Sequence, residues 1–86
     1  MSHKPLLYYI DLIAEGYSEG LYDGKKFGIV KSVFNNGKSS KVYAKELGGN
    51  NFISLNYYIT KNNYTLKPCE MSDEKVINFL RHVTLL

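Results

Sequence analysis

The only thiol in the chain, Cys69, stands in Lys67-Pro68-Cys69-Glu70-Met71, directly ahead of an apolar-periodic segment. The N-terminus of a helix is a setting in which thiolates form and attack. Here the thiol has a cation, Lys67, on one side and an anion, Glu70, on the other. No second cysteine can resolve a sulfenic acid, so a redox cycle at Cys69 needs a thiol from elsewhere. The bland alternative is a small buried hydrophobe. His3 and His82 lie near opposite ends, without a His-x-x-x-His or Cys–His spacing for a metal. His82 reads as a residue of a helix C-terminus. Asp11 and Glu15 are four apart and share a helical face, where a solvated surface is the ordinary role. Glu15, Glu19 and Asp23 lie among Gly16, Gly20 and Gly24, but not in the spacing of a calcium loop. No catalytic constellation, cofactor motif or metal set emerges.

Recognition chemistry is better represented. Lys41, Tyr43 and Lys45 are two residues apart, and Phe34, Phe52 and Tyr58 recur in the flanking segments. Residues two apart share one face of a strand. Basic groups among rings on a sheet are how some modules hold single-stranded nucleic acid, by stacking bases and attracting phosphates. No RNP-type motif is present, and tyrosine is also simply a good strand residue. The same rings suit contact with another protein, or with a second copy of this chain. A plain solvated face is the third reading. Phe34, Lys41, Tyr43, Lys45, Phe52 and Tyr58 form the candidate binding set.

The elements that would position these residues follow from turn chemistry. Asn35-Asn36-Gly37-Lys38 and Gly48-Gly49-Asn50-Asn51 separate three runs rich in β-branched and aromatic residues, 27–34, 40–47 and 52–59. A two-residue turn at Asn36-Gly37 pairs Val33 with Ser40, Lys31 with Val42 and Ile29 with Ala44. A turn at Gly48-Gly49 pairs Ala44 with Ile53 and Val42 with Leu55. Alternation then gathers Phe27, Ile29, Val33, Val42, Ala44, Ile53, Leu55, Tyr57 and Ile59 on an inner face. Val30, Ser32, Phe34, Lys41, Tyr43, Lys45, Phe52, Ser54, Asn56 and Tyr58 fall on the outer face. Widening the second turn by two residues leaves this partition unchanged.

Around the meander, Pro5 suits the first turn of a helix over 5–15, with Leu6, Ile10, Ile13 and Tyr17 on one stripe and Gly16 as its stop. Residues 17–22 form a short strand, and Asp23-Gly24 is a hairpin signal. Either Leu21 faces Lys26 across a two-residue turn, or Tyr22 faces Phe27 across four residues. The second is preferred because it pairs two rings. Asn62 and Asn63 read as a turn, and 64–66 as an edge strand ended by Pro68. Ser72 resembles an N-cap for a helix over 73–83, with Asp73 and Glu74 at its start and Arg81 and His82 at its end. The expected fold is one α+β domain over 1–86. Its two layers are an antiparallel meander of three to five strands and an N-terminal and a C-terminal helix on one face.

Composition bounds the rest. The 86 residues carry a net charge of +3 and suffice for one small domain. A chain this short buries only ~60–65% of its unfolded surface. The charge is far below that of a dedicated DNA-binding arm. No apolar run approaches the ~20 residues of a membrane span. The apolar start, 6–14, is broken by Asp11 and has no cleavage pattern. A cytoplasmic, reducing setting is therefore expected, and Asn63-Tyr64-Thr65 carries no sugar there.

Three stretches carry a resemblance: 15–20 (Glu-Gly-Tyr-Ser-Glu-Gly), 44–54 (Ala-Lys-Glu-Leu-Gly-Gly-Asn-Asn-Phe-Ile-Ser) and 66–71 (Leu-Lys-Pro-Cys-Glu-Met). In these, nearly the whole chain resembles small bacterial proteins of unassigned function, some labelled peptide methionine sulfoxide reductase. The label implies thiol redox chemistry at Cys69. The reductase nucleophile stands in Gly-Cys-Phe-Trp, whereas this chain has Pro68-Cys69-Glu70 and no tryptophan, so no catalytic residue carries over. The expectation is a non-enzymatic binding domain of a bacterial cytoplasmic protein, acting through the outer sheet face on a protein partner or a second copy. Single-stranded nucleic-acid binding and thiol chemistry at Cys69 are the alternatives.

Overall fold

The computed structural model describes residues 4–61 and 63–86. Along the chain come α1 (Leu6–Leu12), β1 (Gly16–Tyr22), β2 (Lys25–Phe34), β3 (Ser39–Glu46), β4 (Phe52–Ile59), β5 (Tyr64–Pro68), α2 (Asp73–His82) and β6 (Thr84–Leu85). The strands form one antiparallel sheet in the order β5-β4-β3-β2-β1-β6. The class is α+β, but with six strands rather than three to five. The addition is β6, two residues that pair with Gly20 and Leu21 of β1. It is too short to show a periodicity. The expectations for His3 and Asn62 lie outside the described residues.

The central register is the one the turns predict. Val33 pairs with Ser40, Lys31 with Val42 and Ile29 with Ala44. Val42 pairs with Leu55 and Ala44 with Ile53. The first turn spreads over Asn35–Lys38, with positive φ at Asn35, Asn36 and Gly37, and keeps the same pairing. The β1–β2 hairpin corrects the preferred register. Asp23 and Gly24 both have positive φ, the backbone of a two-residue type I′ turn, so Tyr22 faces Lys25 and Leu21 faces Lys26. Tyr22 still meets Phe27 diagonally, with ring centroids 5.9 Å apart. The residue opposite Phe27 is Gly20. A Cβ there would stand 2.8 Å from Val83 Cγ2 and 3.1 Å from the Thr84 carbonyl oxygen. Glycine at this position lets the chain leaving α2 lie directly against the sheet.

The inner face is closed by the two helices. Phe27, Ile29, Val42, Ala44, Ile53, Leu55 and Tyr57 form one buried cluster with Ile10 and Ile13 and with Val76, Phe79 and Leu80 of α2. Phe79 lies between Tyr22 and Phe27, at 5.0 and 5.4 Å between centroids. Ser72 caps α2 by accepting from the Lys75 N–H, and Asp73 and Glu74 occupy its first turn. α2 touches β4, β5 and α1, while α1 rests mainly on α2.

α1 is shorter than expected, ending at Leu12 rather than residue 15. Ile13 turns extended, which drops its side chain into the core. The cause lies in the sheet beneath. Lys31, buried at the centre of β2, donates from Nζ to the carbonyls of Ile10 (2.9 Å) and Ile13 (3.0 Å). Among the described residues it is the only buried charge. The Ile10 carbonyl already accepts from the Ile13 N–H at 3.1 Å and takes the lysine as a second donor, while among the described residues the Ile13 carbonyl has the lysine as its donor. A cation there also suits the negative end of the helix dipole. Tyr17, which fits both the helical stripe and the short strand over 17–22, belongs to the strand, β1, and is exposed.

Two predictions follow from the core. Lys31→Met keeps the aliphatic stem but leaves the Ile13 carbonyl without its donor and the Ile10 carbonyl with the Ile13 N–H alone, and is expected to cost about 1–3 kcal/mol. The loss, read by denaturant unfolding, should come with faster proteolytic cleavage around Leu12. Tyr57 is buried, and its hydroxyl finds no hydrogen-bond partner among the described residues. Burial pushes its pKa up from 10.0 to about 12, with Tyr64 and Asp11 adding to the effect. The neutral phenol is thus favoured by folding. Its contribution is whole below pH 10 and is lost as pH rises toward about 12. Tyr57→Phe should leave stability at neutral pH unchanged or raised by up to about 1 kcal/mol, and should reduce the alkaline loss in pH-dependent melts.

Candidate binding interface

Alternation along five long strands displays one set of side chains away from the helices. On the outer face, Tyr43 sits between Val30 and Ser54, and Lys41 between Ser32 and Asn56. Lys45 lies beside Phe52. Ser39 lies between Phe34 and Tyr58. The six candidate residues therefore share one surface and form two ring stations. Tyr43 and Phe52 make one, with centroids 6.1 Å apart and planes tilted by 30°. Phe34 and Tyr58 flank Ser39 to make the other. Lys41 lies between the stations, one step of two residues from Tyr43 along β3.

The rings are accessible. Phe34 is 53% exposed, and Tyr43 and Tyr58 are 40% exposed. Phe52 is half-buried, and Lys75 reaches from α2 to within 5.8 Å of its ring centroid. Neither α1 nor α2 packs on this side, because the buried residues of both belong to the inner cluster.

The structure adds members that the sequence reading left out. Lys67 pairs with Asn56 and so joins the row of Lys41. Lys26, opposite Leu21, also faces outward. The outward residues of the paired strands thus carry four lysines, Lys26, Lys41, Lys45 and Lys67, and one carboxylate, Glu19. That carboxylate is engaged. It lies 3.5 Å from Lys26 Nζ and accepts from the Tyr17 hydroxyl at 2.9 Å. The hydrogen bond to Glu19 raises the pKa of Tyr17. Tyr17 covers Gly28, where a Cβ would stand 2.9 Å from its hydroxyl. Leu21 and Leu47 lie on either side of Lys26, and Val30 lies between Tyr17 and Tyr43; all three are exposed. The parity of Lys67 with Pro68 as strand end was the available signal for β5. The strand expected over 17–22 contains Tyr17, but only its pairing with Val30 puts it on the outer face.

Cys69 joins the same surface. Its N–H bonds to the Ser54 carbonyl at 2.9 Å, continuing the β4–β5 pairing by one residue. Its half-buried thiol accepts from Asn56 Nδ2 at 3.4 Å. The thiol thus lies within the sheet face rather than at the start of α2, where Ser72 is the cap. His82 is far from it in the fold, with Nδ1 2.9 Å from the Asn78 carbonyl oxygen at the end of α2. Among the described residues no group of three His, Cys, Asp or Glu side chains is placed to hold a metal ion, and no helix is long and apolar enough to cross a membrane.

If the outer rings serve recognition rather than the fold, removing them leaves stability nearly intact. Tyr43→Ala and Phe52→Ala are each expected to cost about 1 kcal/mol or less, against about 3–5 kcal/mol for the buried Phe27→Ala. Denaturant melts of the three variants decide this, and equal losses would assign the outer rings to the fold.

The chain matches no known family model, no curated protein and no solved structure.

Proposed function

We propose that this protein is a small binding domain without chemistry of its own, and that it holds a macromolecular partner on the outer face of its sheet. The observation that carries this reading is the row of exposed Phe34, Tyr43 and Tyr58, with half-buried Phe52, on a face that neither α1 nor α2 packs against. Aromatic side chains gathered on one exposed face mark interaction sites more often than singly scattered ones do. The rings stand on rigid strands, so little conformational freedom is lost when a partner settles on them.

Contact with another protein is supported by the exposed apolar side chains of Leu21 and Leu47 on either side of Lys26 and of Val30 beside Tyr43, which extend the ring surface. The test is amine-reactive labelling of the protein in extracts of its own cells, compared with the purified chain. Lys41, Lys45 and Lys67 should label several-fold more slowly in the extract, relative to Lys25 and Lys61, than they do in isolation. Equal relative labelling in both settings would remove the outer face as the working surface.

A further inference from the structure

We propose that the occupant of this face is single-stranded nucleic acid, laid along β3 and β4. The inference rests on the outer-face reading and gives it a ligand. Its basis is the order of charges and rings. Along β3, Lys41, Tyr43 and Lys45 stand two residues apart, each step roughly 6.5–7 Å. Phe52 lies beside Lys45 and 6.1 Å from the Tyr43 ring. Beyond Lys41 come Tyr58 and Phe34, on either side of Ser39. A strand crossing the face therefore meets a ring station, a cation, a second ring station and a second cation. Stacked bases and phosphates alternate along a single strand in the same sense. Lys67, in the row of Lys41, and Lys75, over Phe52, widen the positive track on its β5 and α2 sides.

Charge separates this occupant from its rivals. Four lysines face outward, and the one carboxylate, Glu19, is held by Lys26 and Tyr17. A second copy laid face to face brings two such lysine sets together, which like-charge repulsion opposes. An apolar protein partner would have to bury Lys41 and Lys45, which stand among the rings rather than at the rim, and lysine is depleted from the cores of protein interfaces. A duplex hides its base faces, so the rings would find nothing to stack on.

The experiment is fluorescence anisotropy of the purified chain with labelled single-stranded oligo-dT, oligo-U and a duplex of matched length, over a salt series starting low. Single strands should bind and the duplex should bind markedly more weakly. With Lys41, Lys45 and Lys67 on phosphates, log K should fall with log salt with a slope of about −2. Lys41→Ala and Lys45→Ala should each flatten that slope by about 0.7. Tyr43→Ala and Phe52→Ala should weaken binding roughly 5- to 100-fold while leaving the slope unchanged. Lys25→Ala is the control and should change neither. Absence of binding at low salt overturns the proposal. So does equal binding to duplex with no effect of Tyr43→Ala, which is general attraction between opposite charges. If the extract labelling shows protection of Lys41 and Lys45 that survives nuclease, while the purified chain ignores oligonucleotides, the outer face remains the working surface. The ligand is then a protein, and only the nucleic-acid assignment falls.

Discussion

Two short helices have to close a six-stranded sheet, and they can cover only one side of it. α1 has seven residues and α2 has ten, so they run about 10 and 15 Å. Six strands side by side span roughly 25 Å. All of the buried helical side chains are spent on the inner face, in one cluster with Phe27, Ile29, Val42, Ala44, Ile53, Leu55 and Tyr57. Strict alternation is a consequence, because a strand with one covered face cannot slip by one residue without exposing its core set. The open aromatic face is the other consequence.

A core this small tolerates few polar exceptions, and those present explain its details. Lys31 occupies an inner position that alternation would assign to an apolar residue. It is held there at the end of α1, where it is the donor to the Ile13 carbonyl and a second donor to the Ile10 carbonyl. The helix ends early because its last residues serve the core and the lysine beneath them. The Tyr57 hydroxyl is the opposite case, an acceptor and donor carried into the core by a ring that fills space against Tyr64, with stacked centroids 5.7 Å apart.

The meander was legible because two turn signals and one alternation agreed, and each constrained the other. The pairings from Ile29–Ala44 to Val42–Leu55 needed nothing else. The candidate residues Phe34, Lys41, Tyr43, Lys45, Phe52 and Tyr58 share a surface for the same reason. What escaped depended on contacts distant in sequence. The short span of α1 follows from Lys31, nearly twenty residues on, and no local preference in Ala14 or Glu15 announces it. β6 exists because Gly20 leaves space for Val83 and Thr84. The β1–β2 register was open because a two-residue turn and a four-residue loop give pairings that differ by two residues, a shift that preserves faces and so hides from alternation. Lys67 and Cys69 joined the surface only once β5 was paired to β4.

The strand order also has a kinetic meaning. From β1 to β5 every strand lies beside the one before it, so each pairing closes a short loop. Only β6 reaches back across the chain, to pair with β1. Among the strand pairings, the entropy of chain closure is therefore concentrated at one junction, where two residues and the close approach of Val83 to Gly20 must hold. Contacts between near neighbours assemble quickly, and a single distant one forms against a larger entropic cost. The sheet is in this sense a ribbon with a clasp. Opening the clasp bares the edge of β1 at Gly20 and Leu21, and leaves the rest of the ribbon paired.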